Sequence, residues 1–290
     1  HIVIVLSIDH STNKLLNRLL IRKARRFRPD LMVVIKGESI TSGTISAIRR
    51  LGTVAADWVI DEPTGIYYPA GKITNLPEYD YLFSFDNSYV PLLRKLGGKN
   101  VSFLPISVDE TVFHETVPLN ERNYTSDISF IGTYWPVRAD LFRTIADKNF
   151  RIYGPHWKKN LKPEDPLFPH LDDTKINGDE ACPAFNRTKI NLNQTHQHAV
   201  DGGINLRIPE IIATRSFLLT NHLKGLEKIF VPGKHLATYT SPADFKRKID
   251  YYLSHSDERD KIANAGYEHF LKHQTLRHRI RDILHITKLT

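Results

Sequence analysis

The segment from Asp201 to Glu210 holds the residue types best suited to bind an anion. Gly202 and Gly203 make the chain flexible, and the amphipathic segment after them predicts the start of a helix, which favours negative groups. Arg207 adds a planar guanidinium for phosphate oxygens, and Glu210 could accept hydrogen bonds from a ribose diol. The alternative is that Glu210 complements the helix dipole and pairs with Arg207 at the surface.

A second candidate phosphate contact follows another apolar run. Gly132 and Thr133 end this run, and Arg138 lies at the opening of a predicted helix. A glycine lets the backbone approach a phosphate, while free N–H groups and an arginine supply positive charge. The glycine spacing matches neither GxGxxG nor GxxxxGK, so it excludes the standard dinucleotide and P-loop sites.

Acidic residues that follow a predicted strand are candidates for a general base. Asp61 and Glu62 are the first choice, and Asp9 and His10 come next. Either Asp61 or Glu62 could instead cap a loop. We predict no metal site, because His196 and His198 have no third ligand of matching spacing. Cys182 is not predicted to be a nucleophile, because no partnered histidine can be named.

These residues must be positioned by the elements around them. Short apolar runs alternate with segments of helical spacing, which predicts parallel sheets covered by helices. We expect two α/β units of the doubly wound kind. The predicted strands are 2–8, 31–35, 54–60, 79–85, 101–104, 128–131, 150–153, 190–192, 217–219 and 236–239. The predicted helices are 15–27, 41–51, 90–96, 137–146, 207–213, 242–253, 257–272 and 275–286, with a long loop over 155–180.

In open parallel sheets, ligands bind beyond the carboxyl ends of the strands. This rule selects the residues that follow the predicted strands. In the first half they are Asp9-His10, Lys36–Glu38, Asp61-Glu62 and Asp86-Asn87. In the second half they are Gly132-Thr133, Gly154–Trp157, Asn193–Asn205 and Asn221. We expect the site at these edges.

The alternation lapses into a polar stretch over 105–125, which predicts a linker. We predict a first domain over 1–110, a second over 111–273, and a C-terminal helix over 274–290 that crosses back to the first domain. The chain starts at His1 inside an apolar run, so we expect the natural start, and part of the first domain, to lie upstream.

Composition narrows the class of protein. The 290 residues are 41% hydrophobic and 25% charged, which is typical of a globular chain. The net charge of +8 favours an anionic partner. No apolar run is long enough to span a membrane, and a single cysteine favours a reducing, cytoplasmic location.

The segment Lys14–Arg28 predicts a basic amphipathic helix. Such a helix can dock on a membrane surface, or it can pack its leucines on the sheet and leave its arginines in solvent. We predict no nucleic-acid partner, because no zinc-finger spacing, RNP-like motif or recognition helix accompanies the charge.

The run KINLNQTHQHAVDGGINLRIPEIIATRSFLLTNHLKGLEKIF, from Lys189, resembles the C-terminal module of the CgeB-like, spore-maturation-type glycosyltransferases. FIGTYWPVRADLF from Phe130, RIYGPHW from Arg151 and FLPISVDETVF from Phe103 resemble these enzymes too. The likeness covers roughly residues 30–285.

The resemblance implies a GT-B fold, in which two Rossmann-like domains face a cleft, and a metal-independent sugar transfer. It implies a nucleotide diphosphate sugar as donor, with UDP-sugar as the default, no other cofactor, and an unidentified acceptor. Glu210 would bind the ribose and Arg138 would face the diphosphate. The retaining GT-B pattern of two glutamates separated by seven residues is incomplete, because Gly202 stands at the first position. The predicted donor-binding set is Gly132, Thr133, Arg138, Tyr153, Trp157, Asn193, His196, Gly202, Gly203, Ile204, Asn205, Arg207 and Glu210.

The predicted function is therefore a hexosyltransferase-like enzyme with a general base among Asp61, Glu62 and His10. One alternative is a nucleotide-sugar epimerase of the same fold, which would release nucleotide without an acceptor. The other is a non-catalytic sugar-nucleotide or polymer-binding protein of a surface assembly. The sequence leaves the donor sugar, the stereochemical outcome and the oligomeric state open.

Overall fold

The computed structural model describes residues 2–6, 14–37, 39–63, 73–172, 174, 176, 178–195 and 201–289, of which 3–6, 73 and 74 are described by their backbone alone. The chain forms two compact units. Unit 1 comprises residues 1–106, 197–204 and 279–290, and unit 2 comprises residues 107–196 and 205–278. The domain boundaries expected at residues 110 and 273 stay a prediction.

Unit 1 contains a parallel sheet of five strands that lie in chain order, β1-β2-β3-β4-β5. Its elements are β1 (Ile2–Leu6), α1 (Lys14–Phe27), β2 (Leu31–Ile35), α2 (Ser42–Arg49), β3 (Val54–Val59), β4 (Tyr81–Ser84), α3 (Val90–Lys95) and β5 (Asn100–Phe103). The β-branched and aromatic residues of these strands suit a sheet that is buried on both faces.

The helices of unit 1 pack on alternate residues of the sheet. Leu20 of α1, Ile45 of α2 and Leu93 of α3 share one buried cluster with Met32 and Val34 of β2. Because side chains alternate across a strand, residues two apart point to the same helices. The helix α2 begins after Thr41, whose hydroxyl accepts a hydrogen bond from the backbone N–H of Thr44.

Unit 2 contains a parallel sheet of six strands in the order β11-β10-β9-β6-β7-β8. Its strands are β6 (Ser126–Ile131), β7 (Phe150–Tyr153), β8 (Leu171–Asp172), β9 (Thr188–Asn193), β10 (Leu218–Asn221) and β11 (Ala237–Tyr239). Its helices are α4 (Pro136–Arg143), α5 (Trp157–Asn160), α6 (Ala181–Asn186), α7 (Arg207–Ala213), α8 (Pro242–Ser254) and α9 (Ser256–His273). The last helix, α10 (Leu276–Thr287), has its residues from 279 onward in unit 1.

The core of unit 2 is rich in aromatic rings. Phe142 of α4 packs against Phe130, Phe150, Trp157 and Phe245, with ring centres 4.9 to 6.4 Å apart. Burial of such large rings supplies much of the hydrophobic stabilisation. The cluster holds α4 and α8 against β6 and β7, so it fixes the helix that carries the predicted phosphate ligand.

The predicted α/β class with two parallel sheets is confirmed. The long loop expected over 155–180 is wrong in part, because it contains α5 and the edge strand β8. Trp157 and Leu161 are buried, and their packing anchors this polar segment. The helix α6 is missing from the sequence expectation, because its ACPAFN sequence is short and contains a proline. The predicted strand residues 7 and 8 lie outside the described residues.

Candidate functional site

The six-stranded sheet of unit 2 has a switch point between β6 and β9. The chain proceeds from β6 to β7 and β8 on one side, and from β9 to β10 and β11 on the other. At such a point the loops that leave the carboxyl ends diverge and open a crevice for a ligand. The loop after β6 begins with Gly132-Thr133, and the loop after β9 begins with Gln194-Thr195. We call this place the switch-point crevice.

Arg138 joins the two loops of the switch-point crevice. Its Nη1 donates to the carbonyl oxygen of Thr133 at 2.8 Å, and its Nη2 donates to that of Gln194 at 2.7 Å. The guanidinium carbon lies 5.2 Å from the ring centre of Phe130. The guanidinium suits this bridge because its donors are fixed in a planar fork, whereas those of a lysine ammonium rotate freely. Arg138 therefore ties the crevice together and places a positive charge there.

Three buried polar atoms lie at the carboxyl edge of the same sheet. They are Gln194 Oε1, Asn205 Oδ1 and Tyr239 OH, and none has a hydrogen-bond partner in the described part of the chain. Burial raises the pKa of Tyr239, and the charge of nearby Arg138 opposes this shift. A buried polar atom without a partner is costly, so such atoms are expected where a ligand or water completes the bonds.

Asn193 belongs to a network that connects the strand ends. Its Nδ2 donates to the hydroxyls of Thr195 and Thr220 at 3.1 and 3.0 Å. Its Oδ1 accepts a hydrogen bond from Asn205 Nδ2 at 3.0 Å. The backbone N–H of Thr195 donates to Asn221 Oδ1 at 2.8 Å. Asn193 is thus engaged with protein groups and holds Asn205 at the edge of the sheet.

Gly132 is held from two sides. Its N–H donates to the carbonyl of Tyr153, and its own carbonyl accepts from the indole Nε1 of Trp157 at 2.9 Å. Trp157 is a buried core residue, and Tyr153 lines a different cavity of about 420 Å³ beside Arg151. The Trp157 side chain is therefore held in the core, and a donor contact by Trp157 or Tyr153 stays a prediction.

Arg207 and Glu210 form an ion pair in the first turn of α7. Arg207 Nη1 lies 2.5 Å from Glu210 Oε2, and the guanidinium carbon lies 5.3 Å from the ring centre of Phe185. Burial lowers the pKa of Arg207 and raises that of Glu210, while their opposite charges act against both shifts. The pairing that the sequence offers as an alternative is present, although the pair is half-buried. The ribose contact of Glu210 stays a prediction.

The glycine loop that precedes α7 belongs to unit 1. The N–H of Asp201 donates to both carboxylate oxygens of Asp86, at 3.1 and 3.2 Å. A Cβ at Gly203 would lie 2.4 Å from Asp86 Oδ2, which explains the glycine. Gly202 has a φ of +80°, and both glycines and Ile204 are buried. The structure thus places Gly202, Gly203 and Ile204 at the carboxyl end of β4.

The predicted base candidates lie at the carboxyl edge of the unit 1 sheet. Lys36 Nζ is 2.5 Å from Asp61 Oδ2, and the Asp61 side chain is 34% exposed. Glu62 is only 4% exposed. Burial, together with the charges of Glu62 and Asp86, raises the pKa of Tyr89 to about 12. Asp9, His10, His196 and His198 lie outside the described residues.

Two of the edge residues are absent from the predicted donor set. Gln194 lies within the strand-end stretch that the sequence selects, but nothing in its type distinguishes it. Tyr239 ends a predicted strand, and that position is the signal by which it could be found.

Within the described residues, no group of three or more His, Cys, Asp or Glu side chains could hold a metal ion. None of the helices described is both long enough and apolar enough to cross a membrane.

Comparisons with known proteins identify the family of the chain. The sequence model of the "Glycosyl transferase-like" family matches residues 138–285, slightly more than half of the chain. The spore protein CgeB of Bacillus subtilis is 24% identical over 264 residues, which cover 85% of this chain and 79% of CgeB.

Solved structures show the fold. The Anabaena protein Alr3699/HepE in complex with UDP-glucose is 8% identical with a TM-score of 0.67, over 96% of this chain and 85% of that one. A glycosyltransferase from Rickettsia africae is 12% identical with a TM-score of 0.66, over 97% of this chain and 83% of that one. The expected GT-B fold and the expected CgeB likeness are confirmed. The chain belongs to the glycosyl transferase-like family and is a glycosyltransferase of the GT-B fold.

Proposed function

We propose that this enzyme transfers a sugar from a nucleotide diphosphate sugar, by default a UDP-sugar, to an acceptor, and that the diphosphate binds in the switch-point crevice. The observation that carries the proposal is the guanidinium of Arg138, which spans the carbonyls of Thr133 and Gln194. The complex of the structurally similar Anabaena protein with UDP-glucose supports the choice of donor. A cytoplasmic location, favoured by the single cysteine, is part of the proposal.

The transfer breaks the bond between the anomeric carbon and the diphosphate. Negative charge develops on the leaving oxygen, and donors placed beforehand around that oxygen lower the barrier. Arg138 supplies such a charge, and the backbone N–H of Thr133 supplies a neutral donor, whereas that of Tyr134 donates to the carbonyl of Pro155. The Tyr239 hydroxyl offers a further donor at the same edge, whereas Asn205 Oδ1 can only accept a hydrogen bond. The proposal includes no cofactor besides the donor.

An inverting transfer also requires a base that takes the proton of the acceptor hydroxyl. We assign this role to Asp61 rather than Glu62, because Asp61 is partly exposed while Glu62 is almost fully buried. Lys36 holds the Asp61 carboxylate in place. Glu62 lies near Tyr89, so its role is to position that part of unit 1.

The donor site is tested by calorimetric titration with a panel of UDP-, GDP-, ADP-, CMP- and dTDP-sugars. Arg138→Gln removes the positive charge of the crevice, and loss of one charge-assisted hydrogen bond to the diphosphate is worth roughly 1.5–3 kcal/mol, so we expect the Kd of the preferred donor to rise about 10- to 100-fold. Arg143→Gln is the matched control, because Arg143 lies on the same helix and pairs with Asp165 instead. An equal loss of donor affinity in both variants, or no donor binding by the folded wild-type chain, would refute the proposed donor site.

Turnover separates the roles of the two acids. With the preferred donor and an acceptor mixture, we expect Asp61→Asn to lower kcat about 100- to 1,000-fold, as for loss of a general base, with donor Kd unchanged. Glu62→Gln should affect kcat far less. Free nucleotide released without any acceptor would favour the epimerase instead. Full activity in Asp61→Asn would refute the assignment of Asp61 as the general base.

A further inference from the structure

The helix α1 carries two adjacent ridges on its outward side. Residues four apart lie in a row on a helix surface. One row contains Leu15, Leu19, Lys23 and Phe27, and the three apolar members are 63%, 45% and 47% exposed. The neighbouring row contains only basic residues, namely Lys14, Arg18, Arg22 and Arg26, and all four are exposed. We call these the apolar ridge and the basic ridge.

The opposite side of α1 is fastened to unit 1. Leu20 and Ala24 are buried in the core cluster. Asn17 Nδ2 donates to the carbonyl of Ser39 at 2.8 Å, and Asn17 Oδ1 accepts from the N–H of Thr41 at 3.0 Å. These contacts fix the rotation of the helix about its axis. The two ridges are therefore presented outward by a rigid scaffold.

Charge and shape both point to one class of partner. Residues 14–28 contain seven basic residues and no acidic one. Beside the last turn of α1 is a mostly apolar groove of about 500 Å³, lined by Ala24, Phe27, Pro29 and Met32 and edged by Lys23 and Arg26. A basic row beside an apolar row complements an anionic surface that also accepts apolar groups.

We propose that the outward side of α1 docks the enzyme on an anionic phospholipid bilayer. The basic ridge contacts the lipid headgroups. The exposed Leu15, Leu19 and Phe27 of the apolar ridge enter the boundary between headgroups and acyl chains. A nucleic acid would use the basic ridge alone and would gain nothing from Leu15 and Leu19. The inference does not depend on the donor site, so the two can fail separately.

The test is co-sedimentation of the full chain with vesicles of phosphatidylcholine alone and of phosphatidylcholine with equimolar phosphatidylglycerol. We expect binding only to the anionic vesicles, and we expect salt to weaken it. Because each basic residue near such a surface contributes about fivefold, the triple variant Arg18→Gln, Arg22→Gln, Arg26→Gln should lower partitioning roughly 100-fold.

A charge-matched control separates this ridge from the net charge of the chain. The variant Lys159→Gln, Lys162→Gln, Lys246→Gln removes three exposed positive charges from unit 2 and should keep most of the binding. Since the substituted side chains are exposed, unchanged circular dichroism spectra are expected for both triple variants. An equal loss of vesicle binding in the two triple variants, or no binding of the wild type to anionic vesicles, would overturn the proposal.

A second pair of substitutions distinguishes a bilayer from a polyanion. Leu15→Gln with Leu19→Gln should lower vesicle partitioning roughly tenfold, because less apolar area is buried. Titration of duplex DNA into the same variants serves as the comparison. One result would show that the basic ridge is a general polyanion surface and that the bilayer proposal is wrong. In that result, the leucine variant keeps its vesicle binding, and only the arginine variant loses binding to both vesicles and DNA.

Discussion

At the scale of single residues, the switch-point crevice depends on groups that hold one another in place. Arg138 uses two donors on backbone carbonyls, and Asn193 uses its amide on two threonine hydroxyls and on Asn205. Preorganised groups of this kind need no rearrangement when charge develops. Replacement of a member therefore disturbs neighbours as well as a ligand, so control variants on the same elements are essential.

Two histidines of unit 2 make its stability depend on pH. The ring of His235 stacks on that of His269, with centres 4.2 Å apart, and His235 Nδ1 accepts from the N–H of Val231 at 3.1 Å. Burial, with the charges of His269 and Lys234, lowers the pKa of His235 to about 4. The unfolded chain, with a pKa near 6.5, therefore binds more protons between these two values.

We predict that the contribution of His235 to the free energy of unfolding is constant above a pH of about 6.5 and falls by about 1–3 kcal/mol as the pH decreases toward 4. Urea unfolding curves at several pH values measure this slope. His235→Gln should flatten it, whereas substitution of the exposed His255 should leave it unchanged. A slope that survives in His235→Gln would assign the effect to other groups.

At the scale of elements, two loops meet because a glycine permits it. Gly154, directly after β7, has a φ of +125°, and a Cβ there would lie 2.4 Å from the carbonyl oxygen of Gly132. The loop after β7 can therefore touch the loop after β6 only if residue 154 has no side chain. The indole of Trp157 then donates to the same carbonyl.

We predict that Gly154→Ala lowers the free energy of unfolding by about 3 kcal/mol or more, since it combines a disfavoured φ with a clash against backbone. Gly233→Ala is the control, because Gly233 also has a positive φ but has open space around its Cβ. It should cost only about 1–2 kcal/mol. Guanidinium unfolding of both variants measures the difference, and equal costs would show that the loop can shift.

At the scale of the whole molecule, the two units offer two reporters of ligand binding. A donor at about 100 times its Kd adds about 2.7 kcal/mol to the stability of the folded form that binds it. We predict that the preferred donor raises Tm by several degrees for the transition of unit 2. Scanning calorimetry identifies that transition as the one lowered by Gly154→Ala. If the donor raises only the Tm of a transition that Gly154→Ala does not lower, the donor site lies outside unit 2.

The sequence alone determined the α/β class, the GT-B likeness and most strand positions, because alternating apolar runs report local burial. It also selected the strand ends, and so Gly132, Thr133 and Asn205, because parallel strands bring their carboxyl ends to one edge, while Arg138 was selected by its place at the opening of a predicted helix. Only the tertiary structure decided which of these residues meet. Strand order is set by contacts distant in the chain, and no periodicity records that β9 lies beside β6.

The same limit applies to residues whose surroundings the sequence did not predict. Trp157 and Tyr153 come from a matching motif, but packing turns one into the core and the other toward a separate cavity. Gly202 and Gly203 precede α7 in sequence, yet their contact with Asp86 assigns them to unit 1. Residue types and spacing specify what chemistry a chain can perform. Which side chains share one crevice depends on long-range packing, which a linear pattern does not contain.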